Sequence, residues 1–424
     1  MAHEPELTLQ GIKAAAPASG VGYQIALTAL LSVNFGFVLF DRNASSFLMP
    51  FIQPELRLSN AQVGLISGAL SLTWSLAAFG IGVISDRTGS RKGLLILSTL
   101  LFSCCSFASG FAATFAMLLG TRLLMGVAEG GIMPISQSLI AADVDARHRG
   151  LAMGVAQGFG SSLMGSFVAP VMLVWFAQMF GWRPAFFLAG APGLLMALLL
   201  AWVVRAPRAV RATAQRPAFS ATSFRSALAE RNVVLCAILS TLLVSYLVIC
   251  WAFMPLYLTR VRGYDPSTMS WLMGSLGISA TVASSAIPAW SDRIGRRKVM
   301  IVMPLIAVVL PLAAMFHAGP VWQLGAIFVI GWLVTGVFPL FMAVVPSESV
   351  DPRHLAGALG ICMGTGELIG GVLSPFICGY TADRVGLQAP LWIMSGLALV
   401  SGLVAFGVRE TAPRVLAARD RPRL

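Results

Sequence analysis

Twelve long apolar stretches, separated by short polar or Gly/Pro-containing breaks, constrain the fold of this chain more than any other feature. A helix needs about 20 apolar residues to cross the hydrocarbon core of a bilayer. A closed barrel would need short segments of alternating polarity, and the chain has none. The pattern therefore predicts an all-α membrane protein whose twelve transmembrane helices lie near residues 24–52, 60–85, 93–112, 114–142, 150–176, 182–204, 232–259, 269–290, 299–316, 320–346, 355–381 and 388–408.

Composition and charge support a membrane location. With 57% hydrophobic and 11% charged residues, the chain cannot cover a soluble globule of 424 residues with polar groups. The net charge of +12 does not indicate a nucleic-acid partner, because no soluble domain exists to carry a basic patch. Most Lys and Arg residues fall on one side of the predicted topology. This asymmetry predicts a multi-pass protein of the cell inner (plasma) membrane with both termini in the cytoplasm.

The chain divides into two halves that repeat each other. A polar stretch at 205–231 is interpreted as a cytoplasmic linker between six-helix bundles at 22–204 and 232–408, with cytoplasmic tails at 1–21 and 409–424. Several residues recur 206 positions later, which indicates internal duplication and two pseudo-symmetric bundles. The recurring pairs include Ser85 and Ser291, Gly68 and Gly274, Gly158 and Gly364, and Gly165 and Gly371.

The loop between the second and third predicted helices carries a recognisable motif, GVISDRTGSRK at 82–92, with a second copy, PAWSDRIGRRK, at 288–298. This motif resembles the signature loop of the major facilitator superfamily, whose fold the resemblance implies for the whole chain. It also implies a gating role on the cytoplasmic side for Asp86, Arg87, Gly89 and Arg91, and more weakly for Asp292, Arg293, Gly295 and Arg297. The alternative is a solvated basic loop that only fixes topology.

Five ionisable residues fall inside predicted helices: Asp41, Arg42, Arg122, Glu129 and Glu367. A charge at the bilayer centre costs roughly 2.5–3.5 kcal/mol or more, so each is a candidate functional residue. None has a charged counterpart at the 206-residue displacement. The first four charges would be neutral as a cluster, which is the cheapest way to hold charge in a low dielectric.

Small residues predict how the fourth helix packs. Arg122 and Glu129 lie two helical turns apart and cannot readily pair with each other. Gly126 and Gly130 between them allow another helix to approach closely. We expect that neighbour to be the first helix.

The runs FDRNASSFLMP at 40–50 and RLLMGVAEGGIMP at 122–134 resemble the anion:cation symporter branch of the superfamily, which includes bacterial galactonate and hexuronate carriers. The resemblance implies that Asp41 and Glu129 carry protons, that Arg42 contacts the substrate carboxylate and that Arg122 is the partner of Glu129.

Four further residues are interpreted as substrate contacts. Glu367 lies in GTGELIGG at 364–371, where members of this branch commonly have Asn, so it is either a substrate contact or an additional proton site. Trp74, Gln157 and Tyr246 lie in helices that usually line a central cavity, although each could equally be a packing residue.

These observations predict a secondary active transporter that takes up a small organic anion, such as a carboxylate or sugar acid, together with protons by alternating access. The alternative is a proton-driven efflux antiporter, although the segment GSFVAP at 165–170 matches the efflux signature poorly. We expect no enzymatic activity, because no nucleophile or metal set converges. We also expect no cofactor, no metal and a monomeric protein. Monocarboxylates, sugar acids and aromatic acids all fit this prediction.

Overall fold

The computed structural model describes residues 20–88, 90–145, 147–205, 226–351 and 354–419. In this part of the chain, twelve helices are long and apolar enough to cross a membrane. Because twelve is an even number, the start of the first helix at Val21 and the end of the last at Ala405 lie on one membrane face, here called the terminal side. The other face is called the opposite side. The helices are α1 (Val21–Glu55), α2 (Asn60–Thr88), α3 (Arg91–Gly110), α4 (Phe115–Asp143), α5 (Arg149–Phe180), α6 (Trp182–Val203), α7 (Arg231–Arg260), α8 (Pro266–Ile294), α9 (Arg296–Phe316), α10 (Val321–Ser349), α11 (Gly357–Val385) and α12 (Gln388–Ala405).

The helices form two bundles, as predicted. In the first bundle α2 packs on α4, α3 on α6 and α1 on α5 and α6; in the second, α7 packs on α11 and α12, α8 on α10 and α9 on α12. A short helix, α13 (Pro413–Arg419), follows on the terminal side. Most of the predicted linker, residues 206–225, lies outside the described residues, so the predicted domain limits stay predictions.

Wide π-helical turns interrupt α5 at Ser161–Val168 and α11 at Gly366–Leu373, positions that the internal repeat relates to each other. Such turns are frequent at functional sites. In α5, two carbonyl groups in or near the π-helical turn accept hydrogen bonds from side chains of α1. Ser32 donates to the carbonyl of Val155 over 2.8 Å, and Asn43 donates to the carbonyl of Gly165 over 2.9 Å. The irregular turns of α5 are therefore held in place by the helix that carries Asp41 and Arg42.

The two bundles meet closely near the opposite side, where α2 contacts α11. A Cβ on Gly64 would lie 2.0 Å from the carbonyl oxygen of Pro375, and one on Gly68 would lie 2.6 Å from that of Val372. Glycines four residues apart permit this close approach of two helix backbones.

One side chain of α11 also forms hydrogen bonds with the backbone of the first turn of α2. The carboxylate of Asp383 accepts hydrogen bonds from the backbone N–H groups of Asn60 at 2.8 Å and Ala61 at 2.9 Å. The positive end of the α2 dipole favours this contact.

Helices α5 and α8 meet on the opposite side in the same way. A Cβ on Gly277 would lie 2.5 Å from the backbone nitrogen of Phe167, and Ser267 donates to the Gln178 side chain over 3.1 Å. Toward the terminal side, by contrast, Gly158 and Gly364 face open space. The bundles therefore close against each other on the opposite side and diverge toward the terminal side.

Candidate functional site

A cavity of about 920 Å³ lies between the two bundles. Both bundles line it, the first through α1, α2, α4 and α5 and the second through α7, α8, α10 and α11. Of the predicted substrate contacts, the structure brings four to this cavity: Arg42, Trp74, Gln157 and Glu367. Trp251, Trp332 and Phe338 add aromatic surface from the second bundle. Apolar and aromatic side chains share the lining with two charged residues, two amides and eleven serine and threonine residues, a mixture that suits a small polar ligand.

Tyr246 does not lie on the cavity wall. Its ring is buried, and its hydroxyl donates to the backbone carbonyl of Ala307 in α9 over 2.9 Å. Its ring also lies 6.0 Å from that of Trp332, which does line the cavity. In this conformation Tyr246 supports Trp332 from behind, and its predicted contact with substrate has no structural support.

Arg42 presents its guanidinium to the cavity. The group stacks on the Trp74 ring, with 5.0 Å between the guanidinium carbon and the ring centroid. No described residue forms an ion pair or a hydrogen bond with it. Stacking fixes the plane of the guanidinium and leaves its N–H donors available, which suits the bidentate binding of a carboxylate.

Glu367 occupies the π-helical turn of α11 and also faces the cavity. Its Oε2 atom lies over Gly371, only 3.2 Å from where a Cβ would be, beside Ser71 of α2. The absence of a side chain at position 371 makes room for this carboxylate. Among the described residues, none hydrogen-bonds to Glu367 or forms an ion pair with it, so the carboxylate is open to the cavity contents.

Asp41 lies next to Arg42 in sequence but points away from the cavity into the first bundle, where it is fully buried. Its Oδ1 atom lies 2.7 Å from the Oγ atom of Ser106, which in turn lies 2.9 Å from the carbonyl oxygen of Phe186. A serine hydroxyl has one proton and can donate fully to only one acceptor. Both contacts become complete hydrogen bonds when Asp41 is protonated and donates to Ser106, which then donates to Phe186.

Arg122 of α4 is also fully buried. It donates to Ser109, one helical turn along α3 from Ser106, and its guanidinium carbon lies 5.2 Å from the centroid of the Phe186 ring. Its Nε atom and one terminal nitrogen have no partner. Phe186 of α6 therefore contacts both sides of the cluster, through its carbonyl toward Ser106 and through its ring toward Arg122.

Glu129 is buried, and neither of its carboxylate oxygens has a hydrogen-bond partner. Arg122 does not contact it directly, as the spacing of two helical turns predicts. The prediction that α1 packs against Gly126 and Gly130 is wrong. Both glycines pack against α2, where a Cβ on Gly126 would lie 2.5 Å from the Leu70 carbonyl oxygen. The close approach through these glycines therefore brings α2, which carries Trp74, onto α4.

The buried charges interact through space rather than through ion pairs. Arg122 acts on Asp41 and Glu129, while Arg42 acts on Glu129 and Glu367. Arg42 therefore connects the cavity to Glu129, which lies behind the cavity wall. The two arginines and three acids have a net charge of −1 when all are ionised.

The predicted gating residues are described only in part. Gly89 lies outside the described residues, as do the side chains of Asp86 and Arg87; Arg91 begins α3 and is half-buried. In the second copy, Gly295 joins α8 to α9 at a φ of 111°, a conformation that favours glycine.

The charged contacts around this second copy stay within the second bundle. Arg296 pairs with Asp292 and, over 3.1 Å, with Glu348 of α10, while Arg297 donates to the carbonyl of Phe406 and Arg293 is exposed. The gating role of these residues remains a prediction, because none of these contacts joins the two bundles in this conformation.

Sequence reasoning missed several residues that the structure places at important contacts: Ser106 beside Asp41, Asp383 at the contact between bundles, and Arg296 with Glu348. Arg296 lies inside the second motif copy, so the sequence contained a signal for it. Ser106 and Asp383 had none, because a serine in a membrane helix and an acid at a helix end are both common.

Comparison with known proteins gives matches over nearly the whole chain. The family model described as Major Facilitator Superfamily matches residues 31–345 and 247–423. The probable sulfoacetate transporter of Cupriavidus necator is 28% identical over 403 residues, covering 89% of this chain and 92% of that protein. The hexuronate transporter of Bacillus subtilis is 27% identical, with 84% and 87% covered. A multidrug resistance protein of Proteus mirabilis is 25% identical, with 83% and 89% covered.

Among solved structures, the fold matches a bacterial homologue of the human lysosomal transporter Spinster in an inward-facing, unoccupied conformation. The TM-score is 0.72 at 18% sequence identity, and the match covers 95% of this chain and 98% of that one. The twelve helices, the cavity between the bundles and the family match lead to one conclusion: this chain is a membrane transporter, not an enzyme, and it belongs to the major facilitator superfamily.

Proposed function

We propose that this protein takes up a small organic anion, such as a carboxylate or sugar acid, in symport with protons. The observation that carries the proposal is the unpaired guanidinium of Arg42, fixed on Trp74 and open to a membrane-embedded cavity. An unpaired cation in a low dielectric is costly, and an anionic substrate offsets that cost. The names of two relatives, a probable sulfoacetate transporter and a hexuronate transporter, support an organic acid as the substrate.

The charge of the site supports proton coupling. A monoanion on Arg42 would change the net charge of the five groups from −1 to −2, and protonation of Asp41 and Glu129 would return it to zero. Burial of Glu129 without a hydrogen bond favours its neutral form, since an ionised carboxylate in that position would be unsolvated. The hydrogen-bond chain through Ser106 also accommodates a protonated Asp41. We therefore infer that the substrate and the protons travel together.

Orientation sets the direction. The excess of Lys and Arg on the terminal side supports a cytoplasmic location for that side and for both termini in the inner membrane. The cavity then opens toward the cytoplasm, and the contacts of α2 with α11 close it from outside. An inward proton gradient would drive uptake, since one proton moving down 100 mV supplies about 2.3 kcal/mol.

The proposal is tested by uptake into proteoliposomes with an acidic exterior, using labelled sulfoacetate and a labelled hexuronate. We expect accumulation of at least one acid above its equilibrium level, and loss of this accumulation in Arg42→Ala. In Glu129→Gln, exchange of internal for external substrate should survive while accumulation is lost. If Arg42→Ala accumulates the acid as well as the native protein does, the proposal is wrong.

Proton-driven efflux is the second candidate, and the similarity to a multidrug resistance protein favours it. An antiporter would accumulate its substrate in vesicles with an acidic interior rather than an acidic exterior. Arg42 argues against drugs that have no anionic group, because its charge would repel a cationic group at its own end of the cavity.

A further inference from the structure

Two opposite charges face the same cavity without pairing. Arg42 projects from α1 of the first bundle and Glu367 from α11 of the second. The charge of Arg42 acts on Glu367, yet the two side chains form no ion pair. Each therefore has polar atoms available for a ligand that lies between the two bundles.

Some of the hydroxyl groups around these charges can only accept hydrogen bonds from a ligand. Five of the residues that line the cavity donate their only hydroxyl proton to a backbone carbonyl three or four residues earlier in their own helix. They are Ser67, Ser161, Thr281, Ser284 and Thr335. A hydroxyl used in this way has only its lone pairs left for a ligand. Five of the eleven serine and threonine hydroxyls on the wall are therefore acceptors for a ligand.

We propose that Glu367 determines substrate selectivity: the protein takes a carboxylate with one negative charge at the Arg42 end and a hydrogen-bond donor, hydroxyl or ammonium, at the Glu367 end. This inference rests on the proposed function, because it assumes that Arg42 binds the anionic group. A second negative charge near Glu367 would be repelled by the carboxylate. A hydroxyl or an ammonium group would instead be bound by Glu367 and the neighbouring lone pairs.

The test uses ligands of one length that differ only in the terminal group: butyrate, its terminally hydroxylated and terminally aminated analogues, and succinate. The six-carbon series from hexanoate to adipate serves as a second length. Binding to the purified protein in nanodiscs at neutral pH is measured for the native protein, Glu367→Gln and Arg42→Ala. Glu230→Gln is the matched control, since Glu230 is exposed at the start of α7.

In the native protein, the analogues with a donor should bind at least about tenfold more tightly than the dicarboxylate of the same length. Glu367→Gln should reduce this ratio several-fold, mainly by improving the binding of the dicarboxylate, while Glu230→Gln should leave it unchanged. An unaltered thermal midpoint without ligand shows that each variant is folded.

The inference is overturned if the dicarboxylates bind as well as the donor-bearing acids, if Glu367→Gln leaves the ranking unchanged, or if no ligand of either series binds. The Arg42→Ala variant tests the role of Arg42 separately. Loss of all binding in Arg42→Ala with an unchanged ranking in Glu367→Gln would refute the selectivity inference alone. Binding that does not depend on Arg42 would refute the proposed function as well.

Discussion

Replacing Gly64 with alanine should shift the transporter toward the conformation in which α2 and α11 separate. The added Cβ would lie 2.0 Å from the carbonyl oxygen of Pro375, and real Cβ contacts are essentially never shorter than 3.0 Å. The two helix backbones must therefore move apart by roughly 1 Å or more before the methyl group fits. The clash joins a Cβ atom to a backbone carbonyl oxygen, so no change of side-chain rotamer can relieve it.

The size of the effect follows from the packing. Overpacking a close contact costs about 1–3 kcal/mol, and this cost applies only to the conformation closed on the opposite side. The gain in helix propensity from glycine to alanine, about 1 kcal/mol, applies to both conformations and cancels. The equilibrium between them should therefore shift by about 5- to 150-fold.

The shift can be measured as a distance between spin labels on the opposite side, at Phe111→Cys in the first bundle and Val385→Cys in the second, with the native cysteines replaced. Gly64→Ala should increase the fraction of long distances. Gly120→Ala is the matched control, because a Cβ on Gly120 would meet no atom within 4 Å. The reasoning fails if Gly64→Ala leaves the distance distribution unchanged, or if Gly120→Ala alters it equally.

Three further predictions concern the charge cluster and a helix end. Ser106→Ala should displace the pH profile of uptake, because Asp41 loses its hydrogen-bond partner. Ser106→Thr keeps a hydroxyl group and should keep the native profile. An unchanged profile in Ser106→Ala would refute the role of Asp41 in proton coupling. Trp74→Ala should weaken anion binding several-fold by releasing the Arg42 side chain, and Trp74→Phe should restore much of the affinity in a binding titration. Hydrogen bonds from the Thr268 side chain and backbone N–H hold the pKa of Asp265, the N-cap of α8, below its usual range. Its stabilisation is thus present above the ordinary aspartate pKa and is lost on acidification. Asp265→Ala should reduce stability by about 1 kcal/mol at neutral pH and by less in acid, as measured by thermal unfolding at several pH values.

The sequence predicted the helices well because hydrocarbon imposes a simple length rule on them. Several ends lie beyond the predicted ones. The first helix, predicted near 24–52, runs from Val21 to Glu55, and the fifth, predicted near 150–176, runs from Arg149 to Phe180. A helix continues past the apolar core until a turn stops it, such as the one at Gly181 with a φ of 89°. Hydropathy does not register this continuation.

Within the site, the sequence revealed the residues whose charge is costly inside a membrane. It missed the residues whose role depends on which side chain lies next to them. Arg42 and Glu367 were visible because a membrane penalises charge wherever the side chain points. Which helix would pack on Gly126 was not predictable, since a pair of small residues permits close approach without specifying the partner. The contact between Asp41 and Ser106 was hidden for the same reason, because it depends on how α1 and α3 are rotated.

The hydrogen bonds between Asp383 and the start of α2 affect how this protein tolerates mutation. The atoms it binds belong to the main chain, and every amino acid except proline supplies the same N–H at positions 60 and 61. Substitutions at these two positions, other than to proline, therefore leave both hydrogen bonds possible. A substitution of Asp383 in α11 removes both at once.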